Sequence, residues 1–545
     1  MFRFKHFSRA LVSAASCCLL VAGPAATALA ASPKVAVGSD FIVVSHSDGS
    51  VWAWGLGNDG QLGNGLRTSS SRPVRVSGLN GVVDVFAGDF FAAALKADGT
   101  VWVWGSGGNG VLGSNLADFT TRAPTPQHIP ELSGIWTLAL GRNGDSAFAA
   151  DTQGRVYQWG NNSMGQAGTG AVSGNAVWRK VPALVPGLAE VFALAAADGT
   201  FVAASWQGAV WGWGANEFGA LGATARSQRG GLPLAVQPIP GATDVVALAS
   251  LTINDDAQFA VQRDGLVLGW GTNTASHASC GQLPSGVPTL SAPRPVNGLN
   301  QIFAAAGGTA HALFLAESGT VQGCGANATG QLGDNSTLGT QNGKAGPLRV
   351  SLPVAAVAVG AGRNSSAAVA VDGSVWVWGQ LSGGAAGNGG PSANNTTLQF
   401  LSPQAVVGEL GTGRFNAGAL ASAPALYTGT QTGPLGRVNI DVGFSPLTED
   451  IGREARIYLA AQLPDGTLYL FSDATGWQLY GGGAVTPYLN GVLSRHVALP
   501  LYRAADLSGT AGIRLLVGYG LGSNDEEAQA SLLNRGTHGE ALLLR

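Results

Sequence analysis

At 545 residues the chain is too long for one ordinary domain of roughly 100 to 200 residues, and with 83 Gly and only 11% charged residues it is rich in turns and poor in surface helices. Its 45% hydrophobic content, with 14 Trp and 19 Phe, supplies a core and excludes disorder. A formal charge of -3 and a pI near 6.2 exclude a strongly basic nucleic-acid binder, because no positive field is left to gather phosphates.

The chain opens with Arg3, Lys5 and Arg9, then an apolar run from Ala10 to Ala22, and then Ala28-Leu29-Ala30. A short basic start, an apolar stretch too short to span a bilayer and a small-residue end form the pattern of a secretory signal peptide over 1–30. Cleavage after Ala30 removes three positive charges and leaves a mature protein of formal charge -6. The expectation is export to the periplasm or medium, from a bacterium, with no membrane span after cleavage.

From residue 31 a repeat organises the sequence. Asp48-Gly49-Ser50-Val51-Trp52-Ala53-Trp54-Gly55 returns as Asp98-Gly99-Thr100-Val101-Trp102-Val103-Trp104-Gly105 and as Asp372-Gly373-Ser374-Val375-Trp376-Val377-Trp378-Gly379, with four looser copies between. The closing glycines fall at 55, 105, 160, 214, 271, 325 and 379, so the steps run from 50 to 57 residues. In each unit an apolar arm, an Asp-Gly or Gln-Gly turn and alternating Val and Trp predict a tight hairpin. A glycine-rich loop such as Gly60-Gln61-Leu62-Gly63 follows, then a polar stretch and a Pro before a fourth short strand. Seven four-stranded units predict a closed seven-bladed β-propeller over 31–408, which removes open sheet edges. Pairing of its two ends, Val35 to Val44 beside Gln404 to Val407, is expected to close the ring. Ten of the 14 Trp belong to the repeated phrase and are read as core.

These residues resemble the regulator of chromosome condensation repeat, with a His or small residue in one strand, then Asp-Gly-x-Val-Trp-x-Trp-Gly, then x-Asn-x-x-Gly-Gln-Leu-Gly. The stretch from Gly307 to Leu313 with Gly325 to Gly333 follows that pattern best and departs from it at Cys324. The resemblance implies a seven-bladed propeller. The small-GTPase and chromatin partners of the family's nuclear member are not carried over to an exported acidic chain, so neither a small GTPase nor nucleic acid is an expected partner. An exported bacterial member with the same repeat binds a protein through one face of the ring, which implies protein binding here.

Near Gly408 the period stops. A small-residue linker over 409–425 leads to a C-terminal region, 426–545, whose strands at 438–444, 455–463, 468–471, 497–502, 513–519 and 540–544 predict a small β-sandwich, with a helical turn at 525–533. The fold class is therefore all-β.

No motif of a metalloprotease, serine hydrolase, phosphate loop or calcium loop is present. The six His of the mature chain lack metal-ligand spacing, and His311 reads as a core residue. Asp48, Asp98, Asp264 and Asp372 are explained by their turns. No cofactor or metal is expected, and enzymatic activity is left open. The leading expectation is a non-catalytic exported scaffold that recognises an extracytoplasmic protein or cell-surface polymer. The alternative is a polysaccharide- or peptidoglycan-acting hydrolase or lyase that uses carboxylates on propeller loops. Candidate ligand-binding residues sit in irregular loops: Phe119, the run Trp178, Arg179 and Lys180, and the pair Glu217 and Phe218, since aromatic and Arg side chains anchor interfaces. Cys280 and Cys324, the two cysteines of the mature chain, are either bonded to each other or free and buried.

Overall fold

In a computed structural model of the chain, Gly49 takes φ +78°, a left-handed conformation that costs Gly little. Beside it, Asp48 Oδ1 accepts the Ser50 amide at 2.8 Å. This turn joins β2 (Phe41–Ser45) to β3 (Val51–Gly55), with Phe41 opposite Gly55. The strand β1 (Lys34–Val37) pairs with the other edge of β2, and β4 (Ser70–Arg75) with the other edge of β3. The result is one antiparallel sheet in chain order. The same sheet recurs over 82–128, 135–184, 191–238, 245–295, 302–349 and 356–405, which makes seven blades. Asp98, Asp264 and Asp372 hold their turns as Asp48 does, accepting the amides of Thr100, Leu266 and Ser374.

The structure describes residues 33 to 543 except 114–120, 142–145, 172–177, 206–207, 217–218, 222–232, 253–256, 274–279, 281–288, 317, 340–345, 391–396, 411 and 419–425. Beyond 425 it describes the strands named below.

The first strands of the blades neighbour one another around a central channel, and β1 lies against the first strand of blade seven, Ala356–Ala361. Between blades lie the dry layers of the core, filled by the second Trp of the repeat. Trp54, Trp104, Trp159, Trp213, Trp270 and Trp378 are all fully buried. Each indole N–H donates to a backbone carbonyl in the long loop of the preceding blade: Trp104 to Gln61 at 2.9 Å, Trp159 to Val111 at 2.8 Å, Trp213 to Gln166 at 2.9 Å, Trp270 to Ala220 at 2.7 Å and Trp378 to Gln331 at 2.9 Å. Trp54 reaches Ala385 of blade seven at 3.0 Å, so this latch also spans the closing junction. A buried indole needs such an acceptor, which is why the position tolerates so large an amphipathic ring.

Blade six is the exception. Cys324 faces Ala312 where Trp104 faces Ala92, and it is joined to Cys280, between the third and fourth strands of blade five, with 5.2 Å between the Cα atoms. The disulfide therefore occupies the junction where the indole latch is missing. His311, opposite Gly325 as Phe41 is opposite Gly55, is buried and bonded to Ser366 of blade seven at 2.8 Å. Because the Ser366 hydroxyl itself donates to the Gln331 carbonyl, His311 Nε2 is the donor in that pair.

Ring closure differs from the expectation. β1 pairs with β2, and the last strand of blade seven, Thr397–Ala405, pairs with the third strand of its own blade, so Val35 to Val44 does not lie beside Gln404 to Val407 as a paired strand. The physical reason is phase: the repeat begins on an innermost strand, so every blade is built from one contiguous segment and no strand has to be borrowed. Closure uses the bonds found at every other junction. Elsewhere the first amide of a blade donates to the turn glycine of the blade before, as Val82 does to Gly49 at 3.0 Å and Ile135 to Gly99 at 3.0 Å. At the end of the ring Ala417 N donates to Gly373 O at 2.8 Å, and Ala417 O accepts the Ser47 amide at 2.9 Å. The segment around 412–418, expected in the linker, thus acts as a strap between blades seven and one. Val35, Val37, Ile42 and Val44 pack with Ala358, Val369, Val375, Phe415 and Ala417 beneath it.

The C-terminal unit is described by itself. Leu426–Thr432, Val438–Ser445 and Val497–Ala505 form one antiparallel sheet. The other follows the order Gly476–Leu479, Leu468–Ser472, Glu454–Gln462, Arg514–Leu521, His538–Leu543, with Leu489–Val492 also paired to Glu454–Gln462. The all-β class holds for both units. The packing of one sheet on the other, on which the sandwich expectation rests, and the helical turn at 525–533 lie outside the described residues.

Candidate protein-binding face

The strand order gives the ring two unlike faces. One carries the Asp-Gly turns and the blade-to-blade links, tied together by the backbone cascade above. The other carries the short links between first and second strands and the long glycine-rich loops between third and fourth strands, and it is called here the loop face. Its long loops absorb the variation in repeat length. Their bases are fixed: Asn162, Asn216 and Asn327 are buried, and their Oδ1 atoms accept the amides of Ala167, Leu221 and Leu332 at 2.8, 3.0 and 2.8 Å. Buried amide side chains that close a loop in this way hold its ends and leave its tip to vary.

Large apolar side chains stand exposed on this face, with Leu66 57%, Phe90 40%, Met164 40% and Leu338 50% exposed. Three of the four lie in long loops of different blades, and Phe90 lies in a short link.

The expected site residues fare unevenly. Trp178 opens the fourth strand of blade three, Trp178–Leu184, opposite Asn161, and Arg179 pairs with Gly160. The loop expected for Trp178, Arg179 and Lys180 is therefore corrected: the strand begins at Trp178 because the third strand of the blade runs on to Asn161 and offers an edge. Arg179 and Lys180 pack against Gly110 of blade two, where a Cβ would meet Arg179 O and Lys180 Cα at 3.2 Å. All three are half-buried. Burial holds the Arg179 guanidinium below its ordinary pKa. Phe119, Glu217 and Phe218 lie outside the described residues.

A second set of residues was not singled out from the sequence. Asp40, Asp89 and Asp198 occupy the short links of blades one, two and four, which surround the loop-face end of the channel. Each is half-buried. Asp89 accepts the Ser39 hydroxyl at 2.8 Å. Burial, and then the charge of Asp89, pushes the Asp198 carboxyl up to about 6. Burial raises Asp40 as well, partly offset by a hydrogen bond with Ser382 and by the charge of Arg363 from blade seven, with Asp89 adding to the rise. The sequence signal was available: each acid lies at most two residues before the second strand of its blade, a position visible only once the repeats are aligned on their strands.

The raised Asp198 carboxyl has a measurable consequence. The native state holds this proton more tightly than the unfolded chain, whose value is near 3.8. The contribution to stability is therefore complete below that value and is lost as pH rises through about 6. Asp198→Asn is expected to match the parent in urea unfolding at acidic pH and to exceed it by about 1–2 kcal/mol at neutral pH, solvent screening of a half-buried group included. A variant less stable than the parent at neutral pH would show that the carboxylate is compensated.

Among the described residues no group of three or more His, Cys, Asp or Glu is placed to hold a metal ion, and no helix is long and apolar enough to cross a membrane.

Comparison with known proteins bears on the repeat and the ring. Models of the regulator of chromosome condensation (RCC1) repeat match residues 48–95 and, in a second form, 34–61 and 82–111. The ultraviolet-B receptor UVR8 of Arabidopsis thaliana is 28% identical over 361 residues, 65% of this chain and 78% of that protein. The human E3 ubiquitin-protein ligase HERC2 is 27% identical over 321 residues, 56% of this chain, which spans only 5% of HERC2. Yeast RCC1 (Prp20), solved bound to Kap60, superposes with a TM-score of 0.53 at 20% identity, covering 72% of this chain and 90% of that one, which supports the fold. Seven repeats in register, seven blades with the same indole latch at six of their junctions, and these matches together support an RCC1-repeat family for the propeller.

Proposed function

We propose that the protein is a non-catalytic exported scaffold whose propeller binds another protein through the loop face. The observation that carries this reading is the asymmetry of the ring. One face is closed by a backbone hydrogen-bond cascade and exposes Leu184, Leu266 and Leu410 only at strand ends, a turn and the strap, while the other presents Leu66, Met164 and Leu338 on long loops whose bases are pinned by buried Asn side chains or by the Trp latch, with Phe90 in a short link beside them. Exposed apolar side chains on rigidly held loops are what a protein interface requires, because little conformational entropy is lost on docking. Yeast RCC1 bound to Kap60 offers a precedent for a propeller of this family in a protein complex. Export rests on the basic and apolar pattern of 1–30, which lies outside the described residues.

The test is affinity measurement with the partner recovered from the extracytoplasmic fraction of the native host. Leu66→Ser and Leu338→Ser are expected to weaken binding about tenfold or more, as loss of interface anchors does, while Leu266→Ser in the turn of blade five leaves it unchanged. Binding sensitive to Leu266 alone would reject the face. Multiple-turnover cleavage of peptidoglycan or a polysaccharide, abolished by substitution of loop carboxylates, would replace the scaffold with the hydrolase or lyase reading.

A further inference from the structure

On the face that carries the Asp-Gly turns, six blades fill one place with a large side chain. The first large position of the repeated strand is Trp52, Trp102, Tyr157, Trp211, Leu268 or Trp376, and in each blade it stands opposite a residue of the fourth strand. Blade six has Gln322 there, opposite Arg349. Gln322 does not stand in for a ring: its Nε2 donates to the Gly298 carbonyl at 3.2 Å, which ties the side chain to the link from blade five. What remains is a notch of ≈ 280 Å³ between that link, at Asn300, the turn, at Ser318 and Thr320, and the strand pair of Gln322 and Arg349. Pockets that enclose whole ligands run from roughly 300 to 1,000 Å³, so the notch has room for one side chain.

The fittings for an indole are present in this notch without the indole. In blades one, two and seven a hydroxyl two residues before the Trp accepts its N–H, Ser50 from Trp52 at 3.3 Å, Thr100 from Trp102 at 3.3 Å and Ser374 from Trp376 at 2.8 Å. Thr320 holds the same place before Gln322 and lines the notch, half-buried. Its Oγ1 accepts the Ser318 hydroxyl at 3.1 Å and keeps a second lone pair. A cation also attends the ring at this place in three blades: Lys96 lies 5.9 Å from the Trp102 centroid, Arg155 5.9 Å from Tyr157 and Arg414 5.2 Å from Trp376. In blade two the residue opposite the Trp packs on it as well, with the His128 and Trp102 centroids 5.3 Å apart. Arg349 stands in the place of His128, is exposed, and enters no ion pair among the described residues.

We propose that the notch of blade six is a socket for a tryptophan side chain of a second protein, which supplies in trans the ring that sister blades supply in cis. The size of the occupant follows from the side chain that Gln322 replaces. Its N–H follows from Thr320, placed as Ser50, Thr100 and Ser374 are placed. Its aromatic face follows from the Arg349 guanidinium, since a cation is attracted to a ring face and most strongly to that of tryptophan. Phenylalanine lacks the donor, and an aliphatic side chain lacks both features. Selection rests on shape, acceptor and ring face and not on the net charge of the notch, to which Glu317, outside the described residues, contributes.

The probe is N-acetyl-tryptophanamide, titrated into the full chain and read by saturation-transfer nuclear magnetic resonance, beside its N1-methyl derivative and N-acetyl-leucinamide. Saturable binding of the tryptophan probe is expected at about 1 mM, the scale of a single side chain, and about threefold or more weaker binding of the N1-methyl derivative, which cannot donate. The leucine probe is expected not to bind. Gln322→Trp fills the notch from within and is expected to weaken the tryptophan probe at least about tenfold, while Thr320→Val and Arg349→Gln each weaken it about threefold or more. Arg294→Gln, an exposed arginine on the fourth strand of blade five, controls for charge and is expected to have no effect. Thermal unfolding establishes that each variant is folded, and the two exposed-side substitutions keep the test in force if Gln322→Trp does not fold. Absence of saturable binding, equal affinity for the N1-methyl derivative, or unchanged affinity in both Thr320→Val and Arg349→Gln overturns the socket. The notch lies on the opposite face from Leu66 and Leu338, so the socket and the loop-face reading stand or fall separately.

Discussion

Replacing Trp104 by alanine is expected to destabilise the propeller by about 3–5 kcal/mol, the range for removing a buried large aromatic side chain. Two losses add. The indole is fully buried between Ala92, Ala94, Val76 and Leu79 on the blade-one and blade-two sides, so its removal leaves a void that strands already pinned in register cannot collapse to fill. The Gln61 carbonyl also loses its donor, and because Gln61 is itself buried, water does not readily replace it. Trp104→Phe separates these terms: it keeps most of the volume and removes the N–H, and about 1–3 kcal/mol of the loss should remain. Urea unfolding followed by circular dichroism checks both variants. A loss below about 1 kcal/mol for alanine would mean that the latch is not a principal inter-blade contact.

Reducing the Cys280–Cys324 bond is the second change of that size. The bond closes a loop of 44 residues, for which the chain-entropy account gives about 4 kcal/mol of stabilisation and measured disulfides usually give about 2–4 kcal/mol. The effect should be visible as a lower unfolding midpoint in reductant and in Cys280→Ser, and absent in a variant that already carries both serines. Alkylation of the denatured protein with and without prior reduction reads the bond directly, and equal thiol labelling in the two samples would exclude it. The position of Cys324 adds a sharper expectation. Cys324→Trp with Cys280→Gly should regain part of the lost stability without any disulfide, since the other six junctions of the ring are held by an indole in that place. No gain over the double serine variant would show that blade five's loop has no acceptor for the ring.

The ring was legible in the sequence because its signals are local and repeated seven times. Asp48-Gly49 names a turn, Val51-Trp52-Ala53-Trp54 names an alternating strand, and a constant interval between closing glycines counts the blades. The mode of closure was not legible, because a period has no phase: the same repeat serves a ring closed by a borrowed strand and one whose units begin on the innermost strand at Lys34. Cys280 and Cys324 were pairable by elimination within the mature chain, but that Cys324 stands at a latch became meaningful only when Trp54 through Trp378 were seen donating into neighbouring loops. The site was least legible. Trp178 looked like an orphan in a loop, yet strand pairing with Asn161 claims it. Asp40, Asp89 and Asp198, drawn from three blades, come to the same end of the ring only because it is round, and their shared place before a second strand shows only once the repeats are aligned.

The strap at 412–418 gives the ring a mechanical polarity. Six junctions are crossed by the polypeptide itself, whereas the seventh is held by the Trp54 latch, the Ala417 hydrogen bonds and the side chains packed beneath them. The C-terminal unit begins at Ala421, immediately beyond this fastening. A pull on the chain beyond residue 418 is therefore expected to load the Ala417 hydrogen bonds before those inside a blade. A tug too weak to unravel any sheet would be felt first at this seam, which makes the strap the expected first point of opening of the ring.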